Sequence, residues 1–124
     1  MTEAELQERF KKFAINVYQF TRLFPREGVY FKIQDQLTRA SSSAASNYRA
    51  ACRGKSMADF INKLCTVEEE TDESLFWLEY TNGIDTKWHP ESAPLMKEGN
   101  ELVSIIVASI KTDKKKNIKI KHRL

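Results

Sequence analysis

The sequence predicts an all-α fold, an antiparallel up-down-up-down four-helix bundle, on three observations. Apolar residues recur at intervals of three and four through four successive segments, the period of a helix with one face in a core. Only four glycines and three prolines interrupt 124 residues. The segments are joined by two tight turns and one longer loop, and short connections force neighbours to run antiparallel. With 41% hydrophobic and 30% charged residues the composition is globular, and the length is that of one domain.

The first helix opens on Thr2 with Glu5 three positions on, a capping box. It carries Leu6, Phe10, Phe13, Val17, Phe20 and Phe24 on one face and stops at Pro25, since the residue before a proline is pushed out of the helical region. After "PREG" the second helix places Ile33, Leu37, Ala40, Ala44, Asn47 or Tyr48, and Ala51 at helical period and ends near Gly54. Ser56 with Asp59 reads as the next N-terminal cap, and Phe60, Leu64, Val67, Thr71, Leu75 and Leu78 extend a third helix to Asn82-Gly83. "IDTKWHPE" reads as a loop, after which Ser92 caps a fourth helix bearing Leu95, Leu102, Ile105, Ile106, Ser109 and Ile110. The organisation expected is a bundle domain over residues 1–111 and a basic C-terminal tail over residues 112–124.

Two stretches carry more apolar surface than one stripe needs. "LFWLEY", Leu75 to Tyr80, is apolar at five of six positions, and "LVSIIVASI" is apolar nearly all round. Such faces want a second surface, and a homo-oligomer is the expectation; a thick core that loop residues such as Trp88 help to cover is the alternative. The small side chains of "RASSSAASNYRAA" fit close approach of another helix or high helix propensity with local serine bonding.

Several function classes are poorly served. The most apolar run is nine residues broken by two serines, against the ~20 that span a bilayer. The opening "MTEAELQERF" has acids before its first base and no apolar stretch, so a cytoplasmic location is expected. Cys52 and Cys65 are too few for a disulfide scaffold. Position 52 falls opposite roughly position 57, which leaves Cys65 about 12 Å off along the axis at ~1.5 Å per residue, so reduced thiols are expected.

The densest chemistry is "EEETDES", Glu68 to Ser74, five carboxylates in seven residues. A di-metal carboxylate bundle needs Glu-x-x-His pairs, whereas His89 and His122 follow Thr86 and Lys119 at that spacing. No metal and no cofactor is expected. Acid/base catalysis needs carboxylates gathered round a pocket, and consecutive helical positions point round the circumference instead. The antiparallel hairpin pairs positions whose numbers sum to about 109, so Arg39 should face Glu70 and Glu69 across it. Glu70 and Glu73 flank the apolar stripe and should be the most buried of the five. No nucleophile elbow, phosphate-cradling glycine loop or Cys/His arrangement is present, and an enzyme is not expected. One using Glu70 and Glu73 in a cleft between subunits is the rival reading.

Charge is polarised along the chain. From residue 111 onward seven bases, Lys111, Lys114, Lys115, Lys116, Lys119, Lys121 and Arg123, stand against Asp113, a net of +6, while the remainder carries thirteen bases and sixteen acids. An exposed basic run is the footprint of a polyanion binder, and these seven are the candidate nucleic-acid-binding residues. The alternatives are a solvated tail or cations answering a helix macrodipole. The run lacks interleaved aromatic residues, so any nucleic-acid binding should have low sequence specificity. A scaffold that binds only protein, through the acidic edge of the third helix, is the competing expectation.

Residues 36–80 carry a resemblance. "QLTRA", "SNYRAA", "ADFINKL" and "EEETDES" running into "FWLE" resemble the bacterial four-helix bundle family associated with intervening sequences of 23S ribosomal RNA. The resemblance implies a ring-like homo-oligomer, a pentamer in known members. It also implies kinship with the accessory variability proteins of diversity-generating retroelements, which bind nucleic acid and a reverse transcriptase through a basic surface. It supplies no catalytic residue; Asn47, Tyr48, Arg49, Glu70, Glu73 and Trp77 enter as motif positions of structural character. This chain departs from such a basic surface in concentrating its cations at the C-terminus while the third-helix motif is acidic.

Overall fold

A computed structural model describes the backbone of residues 1–123 and the side chains of residues 1–120. Four helices, α1 (Glu3–Thr21), α2 (Val29–Cys52), α3 (Met57–Ile84) and α4 (His89–Arg123), follow one another, with a single 3-10 turn at Thr86–Trp88 and no strand among the described residues. Each helix packs on the next, and α4 closes back on α1. The four-helix bundle follows directly from the apolar period.

Both N-caps form, the one at Thr2 through the hydroxyl bond alone and not the reciprocal pair of a capping box. Thr2 Oγ1 accepts from the Glu5 amide at 3.1 Å, and Ser56 Oγ accepts from the Asp59 amide at 3.1 Å, each satisfying one amide that the first turn leaves without a helical partner. All six apolar positions of the first stripe are buried, as are Ile33, Leu37, Leu64, Val67, Leu78, Leu102 and Ile106. Burying each large side chain contributes roughly 1.5–3 kcal/mol, which stabilises the bundle far more than helix propensity does.

The elements differ from the expectations at three places. First, α1 ends at Thr21, short of Pro25, and the chain turns through Arg22–Phe24, with Phe24 still buried against Trp88, ring centroids 5.1 Å apart. Second, α3 does not stop at Asn82-Gly83 but continues to Ile84. The turn signal is overridden because Asn82 is held by its side chain: its Oδ1 accepts from Ser92 Oγ at 2.8 Å and its amide reaches Met96 Sδ at 3.3 Å. Third, Ser92 is no N-cap. The expected loop shrinks to Asp85 and the 3-10 turn, whose amide at Lys87 is taken by Asp85 Oδ1 at 2.9 Å, and α4 begins at His89 with Ser92 buried inside it. Pro90 sits in the opening turn, where a missing N–H is harmless.

Two glycines shape the packing. Gly28 joins α1 to α2 with φ of 51°, in the left-handed region that side chains resist. Gly99 is buried in α4 where a β-carbon would stand 2.7 Å from Leu75 Cδ2 and 3.3 Å from Phe13 Cζ, so α4 can approach α3 and α1 closely there.

The apolar excess divides in two. Trp88 does cover the end of the core, donating from Nε1 to Tyr30 Oη at 3.1 Å and meeting Phe20, Phe24 and Tyr30 edge-on or tilted. On α4, Leu102, Ile106 and Ile110 are buried and Val103, Ile105 and Val107 half-buried. On α3, Leu75 and Leu78 are buried, but Phe76 is 50% exposed, Tyr80 42% and Ile84 41%. These three lie at i, i+4 and i+8, a ridge on one face. Half-buried Trp77 meets it edge-on, its ring centroid 5.1 Å from that of Phe76 and 5.3 Å from that of Tyr80. Among the described residues no helix is long and apolar enough to cross a membrane.

Candidate nucleic-acid interface

Residues 112–123 lie on α4, which runs for 35 residues from His89 to Arg123. Lys111, Lys114, Lys115, Lys116 and Lys119 are exposed, whereas Asp113 and Asn117, one turn apart, are half-buried and so lie on the bundle side. Cations near a helix C-terminus also answer its dipole, which favours the helical course of the run. The side chains of Lys121, His122 and Arg123 lie outside the described residues.

The up-down-up-down course sets this run beside a second group of cations. The end of α2, the start of α3 and the end of α4 share one end of the bundle. Lys114 and Asn117 of α4 line a cleft of about 610 Å³ with Asp59, Asn62 and Cys65 of α3. On the other side of Asp59 an open cleft of about 840 Å³ is lined by Ser46 and Arg49 of α2, Arg53 and Lys55 of the turn, and Asp59 and Lys63 of α3. Asp59 is neutralised by Lys63 at 2.7 Å, whereas Arg49, Arg53 and Lys55 form no ion pair among the described residues. Arg53, Lys55 and Lys63 were not singled out by the sequence reading. The signal was present in "RAACRGK", two arginines four apart followed by a lysine, but only the folded hairpin adds Lys63.

Asn47, Tyr48, Glu70 and Glu73 make contacts within the bundle. Asn47 donates to the Ser43 carbonyl at 2.9 Å and to its hydroxyl at 3.1 Å. Tyr48 is buried, stacked on Phe10 at 5.3 Å between centroids, and burial first, then the neighbouring Cys52, pushes its phenol well above the usual range. Burial likewise raises the Cys52 thiol, and both cysteines are free. Arg39 binds Glu70 at 3.1 Å and also Glu73, both half-buried. The expected Glu69 partner is replaced by Glu73 because i+3 shares a helical face with Glu70 whereas i−1 does not. A second pairing ties α1 to α4, with Arg9 forking onto Glu98 and reaching Glu101 at 2.9 Å. That carboxylate pair raises the Arg9 pKa, the hydrogen bond to Glu98 contributing most. Among the described residues no three His, Cys, Asp or Glu side chains group so as to hold a metal.

The family model for the 23S rRNA-intervening sequence protein matches residues 2–108. Among solved structures, the chain is similar to the crystal structure of a protein with unknown function from the S23 ribosomal protein family of Bacteroides thetaiotaomicron VPI-5482. The two share 24% identity over 90% of this chain and 99% of that one, with a TM-score of 0.81, a likeness of fold. No curated protein matches. The matched span takes in the α2–α3 cleft and stops before the first of the C-terminal cations, Lys111.

Proposed function

The chain belongs to the 23S rRNA-intervening sequence protein family, and on that premise we propose that it is a non-enzymatic, self-assembling helical bundle that associates with RNA with low sequence specificity. The observation that carries this reading is the cationic course of α4: five lysines exposed over its last described turns, carried on one helix with the bundle core. Each lysine that meets a phosphate releases counterions, so affinity is electrostatic and steeply salt-dependent. Repetition of the run around an oligomer multiplies the contacts.

Self-assembly rests on the α3 ridge. Phe76, Tyr80 and Ile84 hold apolar surface that the single chain leaves in water, and a neighbouring copy is the proposed cover, in a closed ring of five as the family resemblance implies. The cytoplasm is the proposed location.

The test is a mobility-shift titration of the full chain with RNA across a range of salt. Binding that weakens log-linearly with salt, and that weakens further when Lys114, Lys115 and Lys116 become glutamine, supports the reading. RNA indifference at low salt would leave the protein-binding scaffold, presented by the same ridge and the acidic edge of α3.

A further inference from the structure

We infer that the cleft at the α2–α3 turn is a binding site for the phosphate backbone of single-stranded RNA, and that the groove leading from it along α1 and α2 receives the bases. The inference rests on the RNA reading above and moves the site from the C-terminal run alone to one whole end of the bundle.

Four features of the cleft suit it to phosphate. Arg49 in the last turn of α2 and Arg53, the residue that caps it, are four positions apart, about 6 Å along the axis, so that each guanidinium fork can take a phosphate of the same strand. Neither arginine forms an ion pair among the described residues, so none has to break when they take a phosphate, while Lys55 lies in the field of Asp59 without pairing to it. Asp59, the only carboxylate lining the cleft among the described residues, is held by Lys63 at 2.7 Å, so the described lining is net positive. The positive end of the α3 dipole points into the same region.

The groove distinguishes RNA from an acidic peptide. Ser46, Arg49 and Arg53 line both the cleft and a trough of about 610 Å³ between α1 and α2, so the two are continuous. The trough is mostly apolar, floored by small residues of α2 such as Ala45, and presents Ile15 and Tyr18, which are 50% and 44% exposed. An exposed aromatic ring further along a trough that opens from two arginines without ion pairs is what unstacked bases on a held backbone require. The C-terminal run lacks any Phe, Tyr or Trp; α1 supplies Tyr18 to the trough that continues from the cleft. In the other direction the strand would pass Lys55 and the first turns of α3 to reach Lys114, which borders Asp59 on its far side.

The experiment is fluorescence anisotropy of labelled oligouridine with the full chain at several salt concentrations, for the wild type and three variants. These are a cleft variant with Arg49, Arg53 and Lys55 each changed to Gln, a run variant with Lys114, Lys115 and Lys116 each changed to Gln, and Tyr18→Ala. All substituted side chains are exposed, and circular dichroism checks that each variant melts like the wild type. The expected result is that the cleft variant lowers the slope of log affinity against log salt by about 2, three phosphate contacts at ~0.7 each, and that Tyr18→Ala weakens binding by about tenfold with the slope unchanged. If the wild type binds and the run variant is weakened while the cleft variant and Tyr18→Ala are not, the site proposed here is wrong and the RNA reading stands. If the wild type binds no oligouridine at low salt, both fail, and capture of polyglutamate by the same cleft would then identify it as a protein-docking surface.

Discussion

Leu75 of α3 fills the space that a side chain on Gly99 of α4 would need, its Cδ2 standing 2.7 Å from the position of the absent β-carbon. Both residues are buried, and Phe13 of α1 closes the same spot from a third helix. Gly99→Val should therefore overpack the junction of three helices and destabilise the fold by about 1–3 kcal/mol, read as a lower urea midpoint.

Gly83 gives the opposite outcome. It lies inside α3 near its end, and a β-carbon there meets nothing within 4 Å. Gly83→Ala restricts the unfolded chain without strain, and a gain of about 0.5–1 kcal/mol is expected in the same urea titration.

The two interhelical ion pairs should differ in worth. The Arg9 side chain is 27% exposed and forks onto Glu98, whereas that of Arg39 is 45% exposed. Double-mutant cycles with alanine should give a coupling of about 1 kcal/mol for Arg9 with Glu98 and a smaller one for Arg39 with Glu73, both shrinking as salt is added.

Alkali should weaken the fold through the α2 pair Cys52 and Tyr48. Burial raises both pKa values in the folded chain, so folding favours the protonated forms. Their contribution is complete below the unfolded values, about 8.5 for a thiol and about 10 for a phenol, and is lost as pH climbs through the raised folded values. The melting temperature should fall above about pH 8.5, and Cys52→Ala should flatten the first part of that decline.

Charge on the α3 ridge should disperse any assembly. Phe76→Glu with Tyr80→Glu replaces exposed apolar surface, so the helical circular dichroism should persist while light scattering shows the mass dropping to that of one chain. An unchanged mass would show that copies do not meet there.

The fold was legible because its decisive signals are local and periodic. The stripe from Leu6 to Phe24 and the caps at Thr2 and Ser56 need only their own neighbours; the stripe is buried and both caps form. Misreadings fell where a distant residue decides. Asn82-Gly83 would end a helix in isolation, but Ser92 and Met96 from α4 hold it in one. Ser92 resembled a cap because its sequence context cannot reveal that Asn82 has claimed its hydroxyl. The cationic cleft was missed for the same reason: Arg49, Arg53, Lys55 and Lys63 are spread over fifteen positions, and only hairpin closure gathers them. The C-terminal run was conspicuous because its charges are consecutive.

The absence of a joint between the lysine-bearing turns and the Leu102–Ile110 core turns α4 into a lever. A load on its tip is felt by the side chains that hold the molecule shut. A polyanion seated there gains its full grip only while the rod stays helical, so ligand occupancy and resistance to melting rise together.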